Sequence, residues 1–394
     1  MAAAAAERHV VIAGGGIIGC SIAYHLTLLQ PATRVTIIER FGIASCASGK
    51  AGGFLAGGWG DSVTDELHTK SFAMHAQLAK TLGLKSYRKI PTLQVGVGGC
   101  GKGKPGGHHG CEWLTGSAVR SARWMDKDTA QVTPKELTDA FLAAAVAKGR
   151  TTVVEGVVAG IAFAEGDTSR VAGVRVEQSA DGASSAAVAT LLDCDDVVVA
   201  LGPWSVLAED WFGSARLRVP MEGIWSSSMI IQHPPGSVSP FALFCGEDGN
   251  HTHLEVYPRP EGAVYCCGLG GSRHVEPKAL KALAPRDVVP DPARVAAARK
   301  SFAVLSPPLG KVAPGAAQAC APDVTQACLR PCPQDGRPMM GRVPGTANAF
   351  LACGHNCWGI LWGPASGLAM AELVLRGEST TIDLRAFDPG RFRR

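Results

Sequence analysis

The chain has little charge, no block of one charge sign and no long apolar run. Charged residues make up 18% of its 394 residues, and its 38 basic and 34 acidic residues leave a net charge of +4. Without a basic block, a nucleic-acid partner is not expected. No stretch approaches the ~18 consecutive apolar residues that cross a bilayer, so no transmembrane segment is expected either. With 46% hydrophobic residues, a chain of this length is expected to be globular and to form two domains.

The N-terminus lacks the features of a targeting signal. Its opening residues are Met and Ala, and the apolar stretch that follows Arg8 is soon interrupted by glycines. A secretory signal would need a basic segment, an apolar segment and a cleavage site in that order. We therefore expect a cytoplasmic protein, whose 13 cysteines are mostly reduced thiols.

A glycine-rich turn between a strand and a helix is the most informative motif. The segment HVVIAGGGIIGC contains a short apolar run, then Gly14, Gly16 and Gly19 with the spacing G-x-G-x-x-G, and it leads into a segment with helical apolar spacing. In a dinucleotide-binding unit the first glycine permits the tight turn, the second lets the backbone approach a pyrophosphate, and the third lets helix and strand pack closely. The helix N-terminus supplies amide donors for the phosphates. The motif therefore predicts nucleotide binding.

The next strand and loop refine this prediction. The strand RVTIIER carries Glu39 near its end. At this position a carboxylate would accept hydrogen bonds from the adenosine ribose hydroxyls, and it would repel a 2′-phosphate. The small-residue loop SCASGKAGGFLAGGW follows, with Ser48 and Lys50 as candidate phosphate donors. The alternative is a flexible glycine loop that binds nothing. The glycine motif does not separate FAD from NAD, but a long loop at this point favours an extended cofactor such as FAD.

The remaining segments predict two kinds of structure. Residues 67–83 and 133–149 have helical patterns, and DDVVVALGPWS predicts a buried strand that returns to the first sheet. Residues 216–320 are rich in β-type segments between Pro and Gly turns, which predicts a separate, largely antiparallel sheet. A strand from Ala349 and a helix from about Gly359 close the chain.

Two groups of cysteines and histidines raise the alternative of a metal site. The first forms two C-x3-C pairs and consists of Cys328, Cys332, Cys353 and Cys357. The second lies in the glycine-rich tract 96–110 and just after it, and consists of Cys100, His108, His109 and Cys111. Structural zinc sites typically use C-x2-C turns that orient two thiolates on one metal, and neither group has that spacing. We expect no metal, and we expect the tract to be a flexible insertion.

The order of these motifs resembles the D-amino-acid oxidase-like family of FAD-dependent oxidoreductases, which includes glycine oxidase, sarcosine oxidase and D-amino-acid dehydrogenase. The segments that carry the resemblance are GGGIIG, IIER, ASGKAGG, DDVVVALGPW, YPRPEG, LRP, DGRPMMG and GHNCWGILWGPASG. It implies an α/β protein with FAD as cofactor. A discontinuous Rossmann-type FAD-binding domain would comprise residues 7–84, 131–215 and 325–390. An α+β substrate domain with a large mixed sheet would comprise residues 85–130 and 216–324.

The resemblance also implies positions for the cofactor and the substrate. The positions implied for FAD are Gly14, Gly16, Ile17, Ile18, Glu39, Arg40, Ser48, Gly52, Gly53, Phe54, Val157, Gly202, Trp204, His355, Asn356, Cys357, Trp358, Gly359, Ile360 and Leu361. Arg330, in LRP, falls where amino-acid-oxidising members place the arginine that binds the substrate carboxylate. The alternative for Arg330 is a structural ion pair with Asp335 or another acid. Tyr257 and Arg259, in YPRP, are further candidates for the substrate pocket.

The reaction implied by the resemblance is oxidation of a C–N bond in a small amine or amino acid by hydride transfer to flavin N5. Oxygen is the expected electron acceptor. Two alternatives stay open: a dehydrogenase that uses a quinone or another carrier, and a weakly active flavoprotein with a trafficking or interaction role. Cys328 falls where sarcosine oxidase-like members attach the flavin covalently, so a thioether is a further hypothesis. Cysteine and tryptophan in GHNCWG depart from the common pattern and leave the substrate open.

Overall fold

The computed structural model describes residues 7–98, 109–177, 189–310 and 323–393. Within these ranges the strands, in chain order, are β1 (His9–Ala13), β2 (Arg34–Glu39), β3 (Phe54–Ala56), β4 (Arg88–Lys89), β5 (Thr92–Val97), β6 (Val119–Asp126), β7 (Thr129–Gln131), β8 (Thr151–Glu155), β9 (Val157–Ala164), β10 (Asp167–Glu177), β11 (Ala189–Asp193), β12 (Asp196–Val199), β13 (Met221–Gln232), β14 (Ala242–Cys245), β15 (Glu255–Pro258), β16 (Ala263–Cys267), β17 (Arg273–Val275), β18 (Val324–Pro333), β19 (Met339–Arg342) and β20 (Ala349–Cys353). The α-helices are α1 (Ile17–Leu29), α2 (Ala47–Lys50), α3 (Asp65–Leu82), α4 (Pro134–Val146), α5 (Ala208–Phe212), α6 (Pro277–Ala282), α7 (Pro292–Leu305) and α8 (Gly359–Arg376).

A six-stranded sheet carries the glycine-rich turn. Its strand order is β19-β20-β12-β1-β2-β8, and only β19 runs antiparallel to its neighbour. Strand β1 is buried along its whole length, which explains the apolar run from Val10 to Ala13. Ile12 pairs with Ile37 of β2 on one side and with Val198 of β12 on the other. The predicted α/β fold, with a parallel sheet that carries the glycine-rich turn, is confirmed.

The two faces of this sheet are covered by different layers. Val10 and Ile12 of β1 pack into a core shared with residues of α1, α4 and α8. Val11 and Ala13, which point the opposite way along the strand, pack into a second core with residues of β9 and β10. Strands β9, β10 and β11 form an antiparallel three-stranded sheet. Strand β1 is therefore packed between helices on one face and a small antiparallel sheet on the other.

A second, larger sheet of eight strands forms the other half of the molecule. Its order is β17-β13-β16-β15-β14-β5-β6, and β18 also pairs with β13. The sheet is mixed, because β5 and β14 pair in parallel while its other pairs are antiparallel. Val264 and Cys266 of β16 pack toward a core with Phe302 of α7, whereas Tyr265 belongs to a separate cluster with Tyr257. One face of the sheet is thus covered by α7, and the other carries aromatic residues.

Strand β18 is an element that the sequence patterns do not reveal. It contains Pro331 and Pro333, which argue against a strand in the interior of a sheet. In the described part of the chain β18 pairs with β13 alone, over ten residue pairs. A strand paired on one side tolerates proline, because the missing N–H can face away from the ladder. This strand positions Arg330 opposite Ile224.

The small-residue loop after β2 is more ordered than its composition suggests. It contains the short helix α2 and the strand β3. Phe54 and Leu55 of β3 pair with Gln131 and Ala130 of β7, which lie far away in the sequence. The pairing is decided by this distant partner, so local composition does not reveal it.

Helix α8 is both long and apolar. Among the described residues, only the stretch Asn356–Arg376 is long and apolar enough to cross a membrane by length and composition, and 72% of that window is buried inside the fold. The helix packs with α1 and α3 and carries the buried side chains Trp362, Ala365 and Met370. Its apolar character is accounted for by this burial.

The predicted domain boundaries stay predictions. Most of the predicted insertion at 96–110, including Cys100 and His108, lies outside the described residues. In the part of the chain that is described, no group of three or more His, Cys, Asp or Glu side chains could hold a metal ion.

A stability test follows from the packing of Gly19. A Cβ atom at Gly19 would lie 2.0 Å from the carbonyl oxygen of Gly14, so the substitution Gly19→Ala forces helix α1 away from β1. We expect it to lower the free energy of unfolding of the flavin-free protein by about 1–3 kcal/mol, the usual range for overpacking. Gly249→Ala is the matched control, because a Cβ there meets no atom within 4 Å. Equal urea midpoints for the two variants would contradict this packing argument.

Candidate functional site

A cavity of about 770 Å³ lies at the glycine-rich turn and extends to the aromatic face of the mixed sheet. Its volume is in the range of about 300–1,000 Å³ that is usual for small-molecule and cofactor sites. The predicted cofactor residues that line it are Gly14, Gly16, Ile17, Ile18, Glu39, Arg40, Ser48, Gly52, Gly53, Phe54, Val157, Gly202, Trp204, His355, Asn356, Cys357, Trp358, Gly359 and Ile360. Tyr257 and Arg330 line it as well. The fold therefore brings distant segments to one place.

The turn between β1 and α1 has room for glycine alone at its first position. Gly14 has φ +110°, and a Cβ atom there would lie 2.4 Å from the carbonyl oxygen of Ala200. Its amide donates to the Ile38 carbonyl at 2.9 Å. Gly16 precedes α1, and a Cβ there would meet only the Ser48 hydroxyl, at 3.1 Å. The start of the helix is thus open toward the cavity, where first-turn amides have no partner within the helix.

Ser48 and Lys50, the candidate phosphate donors of the small-residue loop, are placed differently. The Ser48 hydroxyl accepts a hydrogen bond from the Ile17 amide at 2.9 Å and keeps its own O–H available to the cavity. Lys50 donates to the carbonyl of Ala327 at 2.9 Å and is not among the residues that line the cavity. The ammonium group of Lys50 therefore ties the loop to β18, and we correct its predicted role as a phosphate donor.

Glu39 is held in a fixed orientation at the end of β2. Its carboxylate accepts hydrogen bonds from the amides of Gly15, at 2.8 Å, and Phe41, at 2.9 Å. Arg40 lies beside it, with its guanidinium 4.8 Å from the Phe41 ring. A carboxylate at this edge of the cavity is suited to accept hydroxyl hydrogen bonds from a ribose.

The segment after β20 closes the opposite side of the cavity. Asn356 has a φ of +45°, a left-handed conformation that asparagine tolerates better than most residues, and α8 begins three residues later at Gly359. His355 is buried, and its Nε2 lies 3.1 Å from the Ser366 hydroxyl. Burial lowers the pKa of His355 to about 3, so the imidazole is neutral at physiological pH. Such a side chain does not serve as a base that exchanges protons near neutrality.

Leu361 is the one predicted cofactor residue that does not line the cavity. Its side chain is buried in the core beneath α8. Its carbonyl oxygen lies 3.0 Å from Nε2 of the buried His75. One helical turn beyond Trp358 the side chains already face the core, so a contact between Leu361 and the cofactor stays a prediction.

An aromatic wall borders the end of the cavity that lies against the mixed sheet. Phe54 stacks on Tyr257 with ring centroids 5.4 Å apart, and Tyr257 stacks on Tyr265 at 6.2 Å. Gly52 passes close to this wall, since a Cβ there would lie 2.7 Å from the Tyr257 ring. Trp59 and Phe244 complete the cluster.

Arg330 lies in the cavity wall without a carboxylate partner in the described part of the chain. Its two terminal nitrogens make only long contacts, at 3.4 Å, with Asn356 Oδ1 and the Ser226 hydroxyl. The predicted alternative of an ion pair with Asp335 is wrong, because Asp335 is paired with Arg391 at 2.8 Å. The guanidinium is therefore available for an anionic group in the cavity.

Arg259, the other arginine proposed for the pocket, is placed behind the wall. It is buried, is not among the lining residues, and donates to the Ala51 carbonyl at 3.1 Å. Its guanidinium carbon lies 5.3 Å from the centre of the Tyr265 ring. These contacts hold the small-residue loop against the mixed sheet, so we correct the predicted pocket role of Arg259 to a structural one.

Sequence reasoning missed Glu255, which lines the cavity. Its carboxylate accepts a hydrogen bond from the Tyr257 hydroxyl, and the Cys267 thiol donates to the same oxygen at 3.4 Å. The period-2 alternation of HLEVYPRP places Glu255 and Tyr257 on one face of β15, a signal that could have identified it. Ser226, Ser227 and Ser228 were missed as well.

The cysteines of the two C-x3-C pairs are separated by the fold. Cys328, Cys353 and Cys357 line the cavity, whereas Cys332 does not. Burial raises the pKa of the Cys328 thiol above its ordinary value, which favours the neutral form. The 11 cysteines within the described ranges are free thiols.

The cavity fits an extended dinucleotide. One end offers the open start of α1, the Ser48 hydroxyl and the Glu39 carboxylate, which suit a diphosphate and a ribose. The N-terminus of α8 and an aromatic wall lie at the other end, where a ring system can be held. When bound there, FAD supplies a two-electron acceptor.

Known proteins of similar sequence and fold give the same assignment. The DAO family, described as FAD dependent oxidoreductase, matches residues 9–373. A Schizosaccharomyces pombe protein classed as an oxidoreductase, C1F5.03c, is 25% identical over 395 residues, which cover 97% of this chain and 98% of the relative.

Two solved structures share the fold across nearly their whole length. Glycine oxidase from Geobacillus kaustophilus matches with a TM-score of 0.70 and 20% identity, over 98% of this chain and 99% of that chain. L-proline dehydrogenase from P. horikoshii matches with a TM-score of 0.75 and 19% identity, over 98% of each chain. Because the family match covers almost all of the sequence, the chain belongs to the DAO family of FAD-dependent oxidoreductases, and FAD is its cofactor.

Proposed function

We propose that the protein oxidises the C–N bond of a small amino acid or amine by removing a hydride from the carbon beside the nitrogen. The observation that carries the proposal is Arg330, a guanidinium in the cavity wall with no carboxylate partner in the described residues. The names of two structural relatives, glycine oxidase and L-proline dehydrogenase, support an amino acid as the substrate class.

The residues around Arg330 account for the orientation of such a substrate. A guanidinium binds a carboxylate through two parallel hydrogen bonds, which fix its plane as well as its position. The aromatic side chains of Phe54, Tyr257 and Trp358 border the same space and give it an apolar wall. Holding the reacting carbon in one orientation removes a large part of the activation free energy in reactions of this kind.

Oxygen is the proposed electron acceptor, and a quinone or another carrier is the alternative. We also propose a cytoplasmic location, which the free thiols of the described cysteines support. The function is tested by incubating the holoprotein with a panel of amino acids and N-methyl amines, once in air and once without oxygen but with an added quinone, and measuring ammonia or methylamine, the carbonyl product and peroxide. Carbonyl product that forms only with the quinone would favour a carrier. No product under either condition would favour a non-catalytic flavoprotein.

The substitution Arg330→Ala tests the carboxylate-binding role. Removal of one partner of a close charge pair typically costs about 2–5 kcal/mol, so we expect kcat/KM for an amino acid to fall roughly 30- to 5,000-fold. The exposed Arg123, whose substitution by Ala removes the same charge outside the cavity, is the control. Steady-state kinetics with matched FAD content measure the effect. If R330A and R123A had equal kcat/KM, Arg330 would not bind the substrate.

Glu39→Ala tests the cofactor end of the cavity. The variant loses an acceptor for ribose hydroxyls and the bonds that hold the amides of Gly15 and Phe41. Hydrogen bonds to charged groups contribute about 1.5–3 kcal/mol, so the Kd of FAD is expected to rise about 10- to 100-fold. Titration of the flavin-free protein with FAD measures it, with exposed Glu165→Gln as the control. An unchanged Kd would show that Glu39 does not contact the cofactor.

Acid precipitation tests the hypothesis of a covalent flavin at Cys328. Because burial raises the pKa of this thiol, little of it is the nucleophilic thiolate, and we expect intact FAD to be released into the supernatant. Flavin that stays with the precipitated wild-type protein but is released from Cys328→Ser would instead establish the thioether.

A further inference from the structure

Glu255 is an acidic side chain in the cavity that has no cationic partner in the described chain. One of its oxygens, Oε2, accepts hydrogen bonds from the Tyr257 hydroxyl and the Cys267 thiol. The other oxygen, Oε1, accepts none from the described residues, although Glu255 lines the cavity. A half-buried carboxylate without a compensating cation is costly, and it is expected where a cationic ligand binds.

The neighbours of Glu255 donate hydrogen bonds to its carboxylate. Burial raises the pKa values of Tyr257 and Cys267 well above their ordinary range, and the charge of Glu255 adds to this effect. Both groups therefore remain neutral hydrogen-bond donors to a carboxylate. They satisfy one oxygen and leave the other to the cavity.

Glu255 and Arg330 belong to the same end of the cavity but do not neutralise each other. No ion pair joins them among the described residues, since neither appears in a salt bridge within 4.0 Å. They nevertheless influence the same two thiols, Cys267 and Cys357, whose pKa values Glu255 raises and Arg330 lowers. Glu255 is also the direct cross-strand neighbour of Cys267. The cavity thus presents one free anion and one free cation that are close but separate.

We propose that Glu255 binds the ammonium group of a zwitterionic substrate whose carboxylate is held by Arg330, and that it accepts the ammonium proton before oxidation. This inference rests on the proposed function. An N–H bond of the ammonium breaks, its proton passes to Oε1 of Glu255, and the electron pair stays on nitrogen. The step transfers no electrons away from the substrate. It produces the neutral amine, whose lone pair then assists departure of the hydride from the adjacent carbon.

Among the described groups around Glu255, the imidazole of His253 is the other candidate base. The titratable and charged groups around it, from its own strand and the elements packed against it, are Tyr257 of β15, Cys267 of β16, Cys245 of β14, Arg330 of β18, Cys357 before α8 and His253 in the loop before β15. The cysteines and the tyrosine have raised pKa values and stay neutral near physiological pH. Across the strand pair on the other side lies Phe244, which is apolar. Glu255 is the carboxylate among these neighbouring side chains.

A binding experiment without turnover tests the ammonium contact. 2-Aminoisobutyrate has no hydrogen on its α-carbon and cannot be oxidised there, and isobutyrate differs from it by lacking the ammonium group. Calorimetry on the oxidised holoprotein should show that Glu255→Gln weakens 2-aminoisobutyrate roughly 10- to 100-fold. Isobutyrate should bind E255Q at least as well as wild type, because a nearby negative charge has been removed. Glu165→Gln, an exposed position, should change neither affinity.

A pH series tests the proton transfer. In wild type, the rate of anaerobic flavin reduction by alanine should persist below the pKa of the free amine, because Glu255 removes the proton in the complex. In E255Q only the neutral amine fraction reacts, so the rate should fall about tenfold for each pH unit below that pKa. Glu255→Asp keeps the carboxylate and should recover part of the low-pH rate.

The outcomes separate this inference from the function on which it rests. If the wild-type flavin is reduced by an amino acid, but E255Q keeps the wild-type pH profile and the wild-type preference for 2-aminoisobutyrate, the role of Glu255 is overturned and the function stands. If E255Q lost affinity for 2-aminoisobutyrate and for isobutyrate to the same extent, Glu255 would have a purely structural role, and the inference would also be overturned. If no amine or amino acid reduces the wild-type flavin, the function itself fails.

Discussion

The absence of space at two glycines sets the geometry on which the cavity depends. A side chain at Gly14 would collide with the carbonyl of Ala200, and one at Gly19 would collide with the carbonyl of Gly14. Strands β1 and β12 and helix α1 can therefore approach one another closely, and α1 starts at the edge of the parallel sheet. That placement directs its open N-terminus into the cavity, where Glu39 at the end of β2 completes the nucleotide end. The mixed sheet then only needs to cover this edge.

The mixed sheet contributes charges that the protein does not neutralise. Arg330 and Glu255 are half-buried, and each lacks an ion-pair partner within the described ranges. Most charged side chains in such positions are paired, because an unpaired charge loses hydration without compensation. Local arrangements of this kind are expected at functional sites, where a ligand supplies the missing partner. The charge pattern of the cavity therefore carries more information about its ligand than the fold does, since one fold hosts many reactions.

Prediction from the sequence succeeded where the signal is local. The strand β1, the glycine turn, the helix α1 and the helix α8 follow from runs of adjacent residues, and the resemblance identified the family. The sequence patterns did not predict features that depend on pairing between residues distant in the sequence. Two prolines hid strand β18, which exists because β13 lies beside it. Arg259 and Arg330 look alike in sequence, but the first bonds to the Ala51 carbonyl behind the aromatic wall and the second enters the cavity. The role of Glu255 becomes evident only from its position beside Cys267 of the neighbouring strand.

The central claim is that this cavity binds FAD and that an amino acid or amine binds beside it as the substrate. The most direct measurement is the visible absorption of the purified protein under anaerobic conditions, recorded while amino acids and N-methyl amines are added one at a time. The account predicts a yellow protein whose oxidised-flavin band disappears with at least one amino acid. A folded protein that stays colourless after incubation with FAD, or a flavin band that persists with every compound, would contradict it.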